Sequence, residues 1–145
     1  MSVHASIADL DANRRLVGRY FEFLNDGDRS IAEATLSASV VFFGPRAPEG
    51  IHGREALIDF HSSVRRDAPD IHFAEGELAA EANLVATRYT FRRTHRTEEG
   101  TTKVIGAEGM QLFRIGDGVI QEIHSYFDRL NLLVEMGVIS PPPQP

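Results

Sequence analysis

Cysteine is absent from this 145-residue chain, which excludes disulfides, thiolate nucleophiles and a cysteine-held zinc. Positive charge is scarce: 15 Lys and Arg stand against 21 Asp and Glu, a net charge of -6. That balance argues against a binder of phosphate backbones, so no nucleic-acid partner is expected. The basic cluster Arg88, Arg92, Arg93 and Arg96 is local and is followed by Glu98 and Glu99. No apolar run approaches the roughly 20 residues that span a bilayer. The opening segment MSVHASIADLDANRR has neither the basic head nor the apolar core of a signal peptide. A cytoplasmic protein without a membrane partner is expected.

Several chemical motifs are missing as well. G-x-S-x-G does not occur, so a nucleophile elbow is excluded. No glycine-rich loop leads from a strand into a helix, leaving nothing to cradle a nucleotide. The six histidines are scattered, without H-x-x-x-H or H-x-H spacing. Neither a metal nor a cofactor is expected.

What is present suits a single domain with its own core, covering residues 1–140 and followed by a mobile proline-rich tail, 141–145. Leu10, Val17, Tyr20, Phe21 and Leu24 recur at three- and four-residue steps and predict a helix over 7–25. A short helix over 30–36 and a short strand over 40–43 follow, then an irregular loop, RAPEGIHG, over 46–53. Residues 54–66 read as helix, with Leu57, Phe60, His61 and Val64 on one side. Four strands are predicted over 70–80, 84–96, 102–115 and 118–127, the last two joined by Gly-Asp-Gly (116–118). Asp128 is placed to cap a closing helix that Gly137 ends. Helices followed by an antiparallel meander give an α+β fold with a concave pocket between sheet and helices.

Strand parity sorts the side chains. Pairing Ile115 with Val119 sets Gln111 opposite Ile123, Gly109 opposite Ser125, and Tyr89 beside Gly109. One face then holds Thr87, Tyr89, Phe91, Ala107, Gly109, Gln111, Phe113, Ile123, Ser125 and Phe127, a mainly apolar set with a few polar groups, as in a small-molecule pocket. The other holds Glu108, Met110, Leu112, Arg114, Glu122, His124 and Tyr126, and a single bulge would exchange the two faces. The apolar members of this second face favour cover by a second copy, so a homodimer is expected.

Tyr89 reads either as a donor to a carbonyl, enolate or epoxide oxygen, or as a core aromatic with a satisfied hydroxyl. His61 is a base reaching the pocket or a buried structural histidine. His124 is the other titratable candidate or a surface histidine, and Glu108, diagonal to it, is its acid/base partner on this register. Gln111 and Ser125 are placed to orient a ligand, against apolar walls from Phe43, Phe91, Phe113 and Ile123.

The ordered pieces NDGD (25–28), GREAL (53–57), APDIHF (68–73), TRYTFRRTH (87–95), GMQLFRIGDGVIQEIHSYFD (109–128) and LLVEMG (132–137) resemble the SnoaL-like polyketide cyclases of the nuclear transport factor 2-like superfamily. The resemblance runs from about Arg14 to Gly137. It implies a cone in which a curved sheet wraps about three N-terminal helices, with a short C-terminal helix, assembled as dimers or larger. It further implies a cofactor-independent cyclase or isomerase that uses general acid/base chemistry on a hydrophobic polyketide-like or epoxide-bearing intermediate. A non-catalytic ligand-binding or assembly protein of the same fold is the alternative. Where the family's aldol cyclases carry an acid/base aspartate and a histidine, this chain has Ser125 and Gln111, neither of which titrates near neutral pH.

Overall fold

The computed structural model describes residues 6–145; the first five residues of the expected domain lie outside it. Helix α1 (Ile7–Asp26) starts at a capping box, with Ser6 and Asp9 each bonding the other's backbone N–H, and stops at Gly27, φ 71°. Its apolar stripe buries Val17, Tyr20, Phe21, Phe23 and Leu24. Helix α2 (Arg29–Thr35) is capped by Asp28. Strands β1 (Leu36–Gly44) and β2 (Ala47–His52) precede helix α3 (Arg54–Asp67). Four strands follow, β3 (His72–Glu81), β4 (Leu84–Arg96), β5 (Thr102–Gly116) and β6 (Val119–Phe127), and helix α4 (Arg129–Glu135) closes the fold. Residues 140–145 carry no regular structure. No helix among the described residues is long and apolar enough to cross a membrane.

The six strands form one curved sheet in the order β2-β1-β6-β5-β4-β3. Every neighbouring pair is antiparallel except β1 and β6, which run parallel. That exception follows from connectivity: β1 leaves the helices and lies beside the last strand, with the rest of the chain between them as crossover. One face of the sheet packs on α1 and α3 around Tyr20, Phe23, Leu24, Leu57, Phe113, Ile120 and Ile123. The antiparallel meander and the helices on one face agree with the α+β cone expected from sequence.

Two local expectations change. Most of the expected loop 46–53 is strand: Ala47–His52 form β2. As the sheet's outer strand it tolerates Pro48, which has no N–H to donate, and Gly50 at φ 91°. The β5–β6 register also differs. Gly116 pairs with Val119 and Ile115 with Ile120, then a bulge lets Arg114 face Glu122, Gln111 face Ser125 and Gly109 face Phe127. The turn and the bulge each displace the pairing by one residue. Their sum is two, so from Glu122 onward every side chain of β6 keeps its expected face despite changed partners, while before the bulge Ile120 takes the inward place expected for Val119.

Candidate functional site

A cavity of about 380 Å³ opens between the concave sheet face, α3 and α4. Leu24, Phe42, Phe60, Phe73, Phe91 and Phe127 supply much of its apolar wall, and Leu132, Leu133 and Met136 of α4 border it. Four polar side chains join that wall from buried positions: His61, Tyr89, Gln111 and Ser125, each less than a tenth exposed. Arg46, Asp67, Arg93 and Arg129 add charge to the lining.

Tyr89 and Gly109 face one another across β4 and β5, as the sequence predicted. A Cβ at Gly109 would lie 2.7 Å from the Tyr89 ring and 2.3 Å from the Tyr126 carbonyl oxygen. Only a glycine lets the tyrosine lie across the sheet there. Its hydroxyl is 2.9 Å from Ser125 Oγ, and Gln111 Nε2 donates to the same Oγ at 3.1 Å. The Gln111–Ser125 contact follows from the bulge, which makes the two residues cross-strand partners.

Hydrogen-bond accounting lets the Tyr89–Ser125 bond run either way, since a hydroxyl oxygen has two acceptor lone pairs. Ser125 Oγ already accepts from Gln111, and Gln111 Oε1 has no partner although it is buried. If Ser125 passes its own proton to the Tyr89 oxygen, Tyr89 keeps its O–H for the cavity. Burial raises the Tyr89 pKa, and hydrogen bonds with Ser125 and Gln111 oppose that rise. The phenol therefore stays protonated at neutral pH. With Ser125 donating to Tyr89, the cavity wall offers a neutral donor, Tyr89, beside the unpartnered acceptor Gln111 Oε1.

His61 reaches the cavity from α3, edged by the rings of Tyr20, Phe23, Phe42 and Phe60. Burial pushes its pKa down to about 3, and the nearby Arg65 charge adds to the shift. The imidazole is neutral at physiological pH. Its Nε2 lies 3.0 Å from the hydroxyl of Tyr20, a fully buried residue of α1. Nε2 is that hydroxyl's one side-chain partner among the described residues, and an undonated buried O–H is costly. The tautomer is assigned on that ground: Tyr20 donates to Nε2, and the ring proton sits on Nδ1.

Of the residues singled out from sequence, His61, Tyr89, Gln111, Ser125 and Phe91 come together around the cavity. Phe113 and Ile123 lie on the same sheet face but sit behind the wall, fully buried, with the Phe113 ring against Tyr20 at 5.5 Å. Phe43, His124 and Glu108 are on the opposite face. Phe43 pairs with His124 and stacks on its ring at 4.9 Å, while Phe42 takes the inward position. His124 Nε2 is 2.7 Å from Glu122, and Glu108 bonds Arg88 at 2.8 Å. The register corrects the expected Glu108–His124 pair: His124 faces Leu112, and Glu108 bonds the backbone N–H of Asp128 through its carbonyl.

Sequence reasoning missed Tyr20 as the partner of His61 and the arginines of the lining. Tyr20 was visible as the one polar member of the α1 stripe, and Arg129 as the residue after the Asp128 cap. Among the described residues no three His, Asp or Glu side chains are grouped to hold a metal ion.

No curated protein sequence matches the chain. A candidate SnoaL-like polyketide cyclase from Jannaschia sp. CCS1 superposes with a TM-score of 0.78 at 16% identity, covering 97% of this chain and 100% of its own. AclR, a candidate hydroxylase from Streptomyces galilaeus, gives 0.76 at 19% identity, with 93% and 87% covered. IdmH, a candidate polyketide cyclase from Streptomyces antibioticus, gives 0.76 at 22% identity, with 86% and 98% covered. Identities this low speak to the fold alone. The model of the SnoaL-like polyketide cyclases matches residues 14–136, most of the chain. On that match the protein belongs to the SnoaL-like polyketide cyclase family.

Proposed function

We propose that the protein is a cofactor-independent cyclase or isomerase for a hydrophobic, oxygen-bearing intermediate of the polyketide or epoxide type. The observation that carries this reading is the Gln111–Ser125–Tyr89 chain, buried against an apolar cavity of about 380 Å³. A buried, directed donor is worth most where negative charge develops on a substrate oxygen. Tyr89 donates to the carbonyl or epoxide oxygen as the substrate's own nucleophile attacks. When that nucleophile is a hydroxyl, Gln111 Oε1 accepts its hydrogen bond. The proton it releases restores the Tyr89 hydroxyl, so the net reaction is an isomerisation that consumes nothing. His61, neutral and held by Tyr20, adds a second polar group without adding charge.

A second reading, a protein that binds such a molecule without converting it, is favoured by one observation. Among the described residues the one carboxylate of the lining, Asp67, is exposed rather than buried in the wall, and His61 is too depressed to be a strong base. Incubation with aryl hydroxy-epoxides and linear β-polyketones, followed by mass-resolved chromatography, separates the two. Catalysis predicts products of unchanged mass at rates above buffer, falling by on the order of 10²–10³ in Tyr89→Phe if Tyr89 is the principal donor. Saturable binding with no product from any of them supports the second reading.

A further inference from the structure

The arginines at the cavity have no part in the chemistry above. Arg46, Arg93 and Arg129 come from three separate segments, the turn after β1, strand β4 and the start of α4, yet all border one cavity. None forms an ion pair with a carboxylate among the described residues. Among the described residues Asp67 is the single acidic side chain in the lining, so the charge there is net positive in a protein of net charge -6. What these guanidiniums do touch is weak. Arg46 lies over the Phe60 ring at 5.8 Å, Arg93 Nη2 is 3.7 Å from Met136 Sδ, and Arg129 Nη1 donates to the Pro45 carbonyl at 3.2 Å. A guanidinium has five N–H donors, so most remain free.

We propose that the ligand of this cavity carries an anionic oxygen group, a carboxylate or a phosphate, held by Arg46, Arg93 and Arg129. The inference rests on the reading of the cavity as a small-molecule site and adds the substrate class: an amphiphilic acid rather than a neutral hydrocarbon or ester. Three positive charges bordering one apolar cavity make its mouth electropositive, and an anion complements that potential. Planar guanidiniums match the oxygens of carboxylate and phosphate, and the low-dielectric wall strengthens the attraction. The buried end makes the complementary demand. Gln111 Oε1, buried and unpartnered, calls for a hydrogen-bond donor. The two requirements orient the ligand, with a hydroxyl at the Gln111 end and the anion at the arginines. That orientation brings the part of the molecule near the hydroxyl to Tyr89.

Calorimetric titration with 2-naphthoate, 2-naphthyl phosphate and methyl 2-naphthoate tests the proposal on the intact protein. At low salt at least one anion is expected to bind about tenfold tighter than the ester, with the advantage shrinking as salt is raised. The tighter anion identifies the source of the charge. In the triple variant R46Q/R93Q/R129Q the advantage is expected to vanish while ester affinity holds, which also reports an intact cavity. The corresponding triple Arg→Lys variant is expected to retain part of it. Equal affinity for ester and anions, or an advantage that survives the triple glutamine variant, overturns the anionic class and leaves the cavity reading standing. Binding of none of the three probes overturns the cavity reading, and this proposal with it.

Discussion

His61 shows how burial turns a familiar base into a neutral group. Its folded-state pKa of about 3 lies below the ordinary 6.5 because the charged form is desolvated in an aromatic cage. Between those values the unfolded chain binds a proton that the folded chain refuses. Stability is therefore unaffected above about pH 6.5 and is lost as pH falls from there towards 3. Carboxylates titrate in the same window, so the comparison that isolates the histidine is with His61→Gln. The variant's melting temperature is expected to fall less between pH 6.5 and pH 4 than that of the parent. Parallel melting curves across that range would mean that His61 is solvated. The stability of Tyr89→Phe sets a second limit at this scale. Removing one hydroxyl while keeping the ring should cost at most about 1 kcal/mol, so a large loss of turnover with a near-native melting temperature places the role in chemistry rather than packing.

At the scale of elements, the paired strands β4 and β5 hold the site. Gly109 is packed tightly beside Tyr89, since a methyl group there meets the Tyr89 ring, the Tyr126 carbonyl and Phe127 Cβ, all within 2.8 Å. Gly109→Ala is expected to lower stability by about 1–3 kcal/mol, the usual range for overpacking. It should also weaken ligand binding, because the ring cannot lie flat. A variant of parental stability in chemical denaturation would show that the strands separate at little cost. The same strands show what was legible in the sequence. Alternation within each strand, joined by an assumed pairing across the turns, placed Tyr89, Gln111 and Ser125 on one face and Met110, His124 and Tyr126 on the other, and the faces held because the two one-residue displacements in the last hairpin cancel. Register was not legible, since the bulge between Arg114 and Ile115 is a backbone event that no side chain announces. The expected Glu108–His124 pair failed for that reason. Strand β2 was hidden for a related one: proline and glycine signal a loop, but at the edge of a sheet the unused N–H costs nothing. Phe43 was assigned to the pocket from its apolar run, in which Val40-Val41-Phe42-Phe43 alternates faces and only Phe42 reaches the cavity.

At the scale of the whole molecule, the outer face of the sheet is without cover among the described residues. Met110, Leu112 and Tyr126 are 48%, 40% and 63% exposed, and Met110 and Tyr126 are cross-strand partners. They form an apolar group edged by the ion pairs Arg88–Glu108 and Arg114–Glu122. Those pairs are solvent-exposed and add little stability, but they frame the group with charges of both signs. A surface that is apolar in the middle and mixed in charge at its edge can meet its own copy about a two-fold axis. A stable contact of that kind buries roughly 800 Å² per partner, so the interface must extend beyond these three side chains along β4, β5 and β6. Sedimentation equilibrium at micromolar concentration is expected to give twice the 16.1 kDa chain mass. Leu112→Arg should return the mass to that of one chain, since it sets a desolvated charge in the contact while leaving the inward-facing core untouched. Because the cavity opens on the other face of the sheet, that monomeric variant should bind cavity ligands with the parent's affinity. A parent protein that sediments as a monomer would refute the dimer. A monomeric variant that no longer binds would mean that the sheet needs its partner to keep the curvature that shapes the cavity.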